Sequence, residues 1–234
     1  MHKIGICWIG FFYVFLGLTM NTVRQQNFQL RKEKILAMAE TLLLDNNQDI
    51  TLAELASELD IAKGTIYKHF KSKNQLYLEL IILNEKRLLE ISKKYKNNIK
   101  TYVSQYMLYN MLNSNRTILL HVIEERLTNN ERKLKELFEQ LYKVREERII
   151  EIKDMTDDYL KSFNSAMSIR DYLSYIWTVT YGASLLLNST HYQKAIGSRE
   201  RLIKLYINQA LMTPDKISWY PGFNKSIIDE WFYA

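Results

Sequence analysis

The residues of this chain best equipped for chemistry lie between Lys63 and Lys73, in KGTIYKHFKSK, where most of the polar side chains can donate a hydrogen bond. At about 100° per residue along a helix, the side opposite Ile66 and Phe70 carries Gly64, Thr65, Lys68 and His69, with Lys63 and Tyr67 on its flanks. A face so rich in donors is matched to a surface of acceptors, and the major groove of a nucleic-acid duplex offers them at guanine N7 and O6. Gly64 contributes by its missing side chain, which lets backbone approach closely. Ser72 with Gln75 reads as a capping box that opens a further helix and places Lys73 in its first turn, where a cation beside free N–H groups can clamp a phosphate.

The elements that must position these residues are legible just upstream. Thr51 with Glu54 is a capping box, and Leu52, Leu55, Ala56 and Leu59 follow at i, i+3, i+4 and i+7, one apolar face with a small residue for close helix approach. Asp60 tolerates the left-handed conformation that a sharp turn needs. Ile61 then drops into the angle, and a second helix is expected over 62–70 with Ile66 and Phe70 as its buried face. Two helices and a tight turn make a helix-turn-helix. The bland reading is an αα-hairpin in an all-helical core with a solvated outer face.

From Lys34 to about Glu85 the chain resembles the DNA-binding domain of TetR/AcrR family transcriptional regulators. The resemblance rests on ILAMAETLL, the threonine opening the next helix, KGTIYKHF, and K-S-K before a leucine-rich helix. It implies that Thr51, Tyr67, His69 and Lys73 contact phosphates, while Lys63, Gly64, Thr65 and Lys68 lie nearest base edges. Two departures stand out: Asp60 replaces the family's turn glycine and Ala62 its serine cap, the latter a loss of about 1 kcal/mol of helix stability. The loop Asn46, Asn47, Gln48, Asp49 is also unusual, since a glycine is common there.

Composition agrees with a compact, mainly helical chain. Hydrophobic residues make up 47% of 234, enough for a substantial core, and seven glycines and two prolines argue against a β-sandwich or a long disordered tail. The formal charge of +6 suits an anionic partner. Between 21 and 73, however, eight Lys or Arg face seven Asp or Glu, so the charge must act by placement. Cys7 is the single cysteine, which excludes an internal disulfide and suits a reducing cytoplasm. The four histidines are too scattered for a metal motif, and no metal or cofactor is expected. No phosphate-binding glycine loop or nucleophile motif points to an enzyme, and the pairs Glu124/Glu125, Glu146/Glu147 and Asp157/Asp158 read as solvated helix faces.

Residues 4–20 carry no charge and would span about 25 Å as a helix, just short of a bilayer core. A cleaved signal fits poorly, because Lys3 is a thin basic region and no small-x-small site precedes Asn21. A signal anchor would leave the bulk on the cytoplasmic side of an inner membrane, since Arg24, Arg31, Lys32 and Lys34 follow the segment. The favoured reading is an upstream mis-assigned start, because Met20 heads an ordinary regulator beginning.

The expected organisation is all-α: a hydrophobic segment 1–20, a three-helix helix-turn-helix domain 21–73, a helical effector-binding and dimerisation domain 74–213, and an aromatic tail 214–234. Helices are expected over 72–95, which would couple the two domains, then over 99–113, 117–127, 130–155, 169–192 and 199–212, with a break at 159–168. Pro214 ends the last, and Trp219, Tyr220, Phe223, Trp231, Phe232 and Tyr233 in the tail would pack back on the body. A small effector is expected against Tyr102, Tyr106, Met107, Met111, His121, Phe138, Tyr142, Trp177 and Tyr181, apolar walls with a few polar tips, though each residue taken singly also reads as core. The resemblance implies a homodimer through 169–192 and 199–212 on a palindromic operator in double-stranded DNA, most simply a cytoplasmic repressor. The bland reading of those two helices is core. A membrane-tethered helical scaffold or interaction module is the alternative, and it needs residues 4–20 to be a real anchor.

Overall fold

The computed structural model describes residues 7–46, 49–128, 132–195 and 198–216. Among these the chain is all α, with no strand. It divides into two compact units, Met1–Leu80 and Ile81–Ala234.

The first unit contains α1 (Cys7–Asn46), α2 (Leu52–Glu58), α3 (Lys63–Tyr67) and the start of α4 (Lys73–Lys94). Ile35, Ala39 and Leu43 recur every four residues along α1 and are buried, as are Leu55 and Ala56 of α2, the helix that α1 packs against. Ile66 and Phe70 are fully buried, as their spacing requires. Asp60 adopts φ 50°, the left-handed turn expected of it, and the Ile61 N–H closes the corner on the Ala56 carbonyl at 3.0 Å.

The second helix of the motif is shorter than its sequence suggests. It starts after Ala62, whose methyl offers no capping acceptor, and it closes after Tyr67 because the Ile66 carbonyl accepts from both His69 and Phe70 N–H, each at 2.9 Å. The loop before Thr51 is fixed by a buried tyrosine. Tyr77 Oη accepts the Ile50 N–H at 3.0 Å and donates to Asp49 at 2.5 Å.

The second unit comprises the rest of α4, then α5 (Ile99–Leu112), α6 (Ser114–Thr128), a 3-10 turn (Arg132–Leu134), α7 (Lys135–Ser162), α8 (Ile169–Asn188), α9 (Thr190–Ala195) and α10 (Arg199–Lys216). Helix α8 is central and packs against α5, α6, α7 and α10. Its Tyr172, Ile176, Ala183 and Leu187 form one buried stripe. Its start is a second complete capping box, Ser168 with Asp171.

Three helix ends depart from the expected boundaries. Helix α7 continues to Ser162 because Tyr159 and Leu160 are core residues; it stops where Asn164 takes φ 49° and Ser165 N–H returns to the Leu160 carbonyl at 3.1 Å. Helix α8 ends at Asn188, with α9 a separate turn of helix. Pro214 does not end α10, which runs to Lys216. A proline there removes the N–H that would bond the Ala210 carbonyl, and the Tyr172 hydroxyl donates to that carbonyl instead, at 3.3 Å. The Tyr159 hydroxyl donates to the next carbonyl, that of Leu211, at 2.5 Å.

The aromatic tail lies from residue 217 on outside the described residues, as do Ile4 to Ile6 and the loop residues Asn47 and Gln48. Among the described residues no helix is long and apolar enough to cross a membrane.

Candidate nucleic-acid interface and interior cavities

Helix α3 turns Ile66 inward and leaves Lys63, Gly64, Tyr67 and Lys68 exposed, with Thr65 half-buried. Tyr67 is 47% exposed and has a hydroxyl to offer. A Cβ built on Gly64 meets nothing within 4 Å, so packing within the described residues does not require a glycine there. Thr51 is exposed at the start of α2. Its Oγ1 accepts the Glu54 N–H at 3.1 Å while its own N–H donates to Glu54 Oε2 at 2.8 Å. The same backbone and hydroxyl bonds from Thr51 hold the Glu54 carboxyl below its usual range.

Two predicted phosphate contacts are already engaged within the first unit, and one of them departs from the helical projection. His69 falls beyond the end of α3, so its ring is half-buried and stacked on Phe28 of α1, centroids 4.0 Å apart. Nδ1 is buried without a hydrogen-bond partner. Burial first, then the charges of Arg31 and Lys32, hold its pKa below the ordinary histidine value. Lys73 is the first residue of α4, and its Nζ is bonded to Asp49 at 2.5 Å over the Tyr77 ring. The cap beside it is half formed. Ser72 Oγ accepts the Gln75 N–H at 3.1 Å, but Gln75 Oε1 takes the Lys71 N–H, at 2.8 Å, rather than that of Ser72.

Inside the second unit a cavity of about 390 Å³ opens between α4, α5, α6, α7 and α8. Tyr106, His121, Trp177 and Tyr181 line it. Trp177 and Tyr181 are stacked at 5.7 Å, and His121 meets the Tyr181 ring edge-on at 4.7 Å. The wall also carries Glu85, Glu124, Glu125, Arg145 and Arg148 among apolar and neutral side chains, more charge than the expected apolar walls with a few polar tips. Arg145 donates from Nε to Glu85 at 3.1 Å and from Nη1 and Nη2 to the two oxygens of Glu124 at 2.6 and 2.7 Å. Glu124 therefore lies in a largely buried ion pair and not on a solvated face. Arg148 lies 3.3 Å from Glu85 and over the Tyr106 ring. Burial works against the Arg148 charge, yet Glu85 and the nearby Tyr106 and Tyr102 phenols more than offset it and hold its pKa above the usual arginine value. Burial in turn pushes the Tyr106 phenol up to about 12.

A second hollow, about 650 Å³, runs between α7 and α8 and shares Tyr106, Arg148 and Trp177 with the first. Tyr102 lines it as well. The other expected effector contacts lie elsewhere. Met107 and Met111 are wholly buried in the core, while Phe138 and the half-exposed Tyr142 pack on each other along α7 and line neither cavity. Glu85, Arg145 and Arg148 escaped the sequence reading, which took Glu124 for a solvated residue, although a signal was present. Leu141, Arg145, Arg148 and Ile152 are spaced four, three and four apart, as are charges and core residues in Ile81, Glu85, Leu88 and Ser92. Charges at core spacing mark a buried polar network.

Comparison with known proteins bears on the first unit. Residues 35–80 match the family model of bacterial regulatory proteins, tetR family. The chain is 35% identical over 82 residues to the HTH-type transcriptional regulator QacR of Staphylococcus aureus, covering 35% of this chain and 44% of that one. It is 30% identical over 111 residues to the HTH-type transcriptional regulator AcrR of Shigella flexneri, covering 47% and 48%. The chain thus spans about half the length of these curated relatives. The matched residues 35–80 run from the buried stripe of α1 through the Asp60 corner and α3 into α4, and it is this segment, whose geometry is a helix-turn-helix, that is similar to the bacterial regulatory proteins of the tetR family.

Proposed function

We propose that this protein is a homodimeric, sequence-specific DNA-binding repressor released from its operator by a small effector. The observation that carries the reading is the division of α3: Ile66 and Phe70 are fully buried while Lys63, Gly64, Tyr67 and Lys68 face outward beside Thr51. A helix so short can enter a major groove with its donors on base edges, and the open space at Gly64 admits close approach of the duplex. Thr51, Tyr67 and the N-terminus of α4 with Lys73 supply the phosphate contacts on either side.

Pairing of two copies is supported by apolar side chains left exposed on the last helices: Leu185 of α8, Tyr192 of α9, and Leu205 and Met212 of α10 are 44–47% exposed. The effector would act by binding one of two conformations better, weakening the operator complex by that difference in affinity.

Selection of bound fragments from the source genome tests this. A palindromic consensus with half-sites one helical turn or a little more apart, bound by two chains, is expected. Binding with no sequence preference, or by single chains at asymmetric sites, would overturn it.

A further inference from the structure

The chemical class of the effector can be read from the hollow between α7 and α8. Its floor is aliphatic, built from Ile149 and Ile152 of α7 with Leu173 and Ile176 of α8. Three cations line it, Arg148, Lys153 and Arg170, and among the described residues no carboxylate does. Asp171, beside Arg170 in sequence, is committed to the Ser168 cap, where it accepts from the Ser168 N–H and hydroxyl. Arg148 adds a specific vacancy. Its Nε is buried without a hydrogen-bond acceptor, and Glu85 Oε2, 3.3 Å from its Nη2, is equally unsatisfied. A buried guanidinium and carboxylate held at that distance with incomplete bonding form a pair that an incoming acceptor can re-partition. At 650 Å³ the hollow is of ordinary ligand size, about 300–1,000 Å³.

We propose that this hollow is the effector seat and that the effector is an amphipathic monoanion, an aliphatic carboxylate whose head takes Arg148 and whose tail lies along the isoleucines. The proposal rests on the ligand-responsive reading given above. It also assigns a trigger. A carboxylate that occupies Arg148 competes with Glu85 of α4, the helix whose first residue is Lys73, a proposed phosphate contact.

Equilibrium dialysis of the full chain against labelled decanoate, decanol and decylamine tests the class. Saturable binding of one decanoate per chain is expected, with the alcohol and the amine at least tenfold weaker. Arg148→Gln should abolish the preference. Because Arg148 belongs to a buried pair and its loss can unfold the unit, the exposed Lys153→Gln/Arg170→Gln variant provides a second measure, expected to weaken decanoate several-fold with unchanged helicity and unchanged decanol binding. Equal binding of alcohol and carboxylate, tighter binding of the amine, or non-saturable uptake would overturn the proposal. Decanoate should also weaken the complex with the selected operator; binding that leaves operator affinity unchanged would refute the effector assignment. A chain that binds no DNA would instead sink the regulator reading, while dialysis still judges the hollow.

Discussion

Replacing Arg145 by Met should be among the most damaging single substitutions outside the apolar core. The side chain makes three charge-assisted hydrogen bonds, to Glu85 at 3.1 Å and to Glu124 at 2.6 and 2.7 Å. Its partners' side chains are 9% and 14% exposed. Methionine fills most of the volume but strands two carboxylates in a medium that solvates them poorly. Glu85 keeps the long contact to Arg148, whereas Glu124 keeps no ion pair among the described residues. Breaking a buried pair from one side costs about 3–5 kcal/mol. Since Arg145 itself is 29% exposed, water relieves part of that and the lower end, about 3 kcal/mol, is expected. That is a loss of about 150-fold in the folding constant. Urea unfolding followed by circular dichroism at neutral pH measures it, and Lys204→Met, which removes an exposed pair with Glu200, is the control and should leave the midpoint in place. Replacing Arg145, Glu85 and Glu124 together by apolar residues of similar volume should recover most of the loss. If Arg145→Met shifts the midpoint no further than Lys204→Met, the network is surface decoration and the reasoning fails.

Three further expectations concern the first unit. Tyr67→Ala should weaken binding to operator and random DNA alike, and Lys73→Ala should do so with a shallower salt dependence, whereas Lys63→Ala should narrow the gap between them; equal losses on both DNAs for Lys63→Ala would contradict the assigned roles, as read in filter-binding titrations over a range of salt. Asp60→Gly should be neutral or stabilising by up to about 1 kcal/mol and Asp60→Val destabilising by more than that, because φ is 50° at this corner; equal melting temperatures for the two variants would argue against a left-handed turn. His69 has its folded pKa below the unfolded value of about 6.5, so the unfolded chain takes the proton first: stability should be level above that pH and fall as pH drops through the folded pKa. His69→Gln should flatten that part of the thermal-melting profile, and an unchanged slope would show that other groups carry it.

The helix-turn-helix was legible because each of its signals is local. The Thr51–Glu54 box, the left-handed Asp60 and the Ile66/Phe70 pair all act within a few residues, and each is found as expected. What the sequence did not show depends on partners far along the chain. Arg145 is 60 residues from Glu85 and 21 from Glu124, so no local pattern pairs them. Wheel projection also placed His69 on the outer face of α3, an error that follows from extending the helix past Tyr67 to where Phe28 waits. Likewise Met107 and Met111 have the composition of a pocket wall, but composition cannot separate a wall from a core.

Electrostatics makes pairing of two copies central to the proposed function. The stretch 21–73 holds eight cations against seven anions, and the structure shows that even these cations are not all at liberty. Lys32 is paired with Glu79 and lies over the Phe70 ring, and Lys73 is bound by Asp49. For a phosphate to take Lys73 it must displace or share that carboxylate, which subtracts from the gain of the new contact. Counterion release by the few remaining cations gives one unit only a shallow salt dependence and a weak complex. Two units held by a common dimer add their contacts, because the second binds at an effective concentration set by the linkage. Asp49→Asn, which frees Lys73 without touching α3, should therefore strengthen binding to operator and random DNA together. If it instead weakens both, the Asp49 contact positions Lys73 for phosphate and does not compete with it.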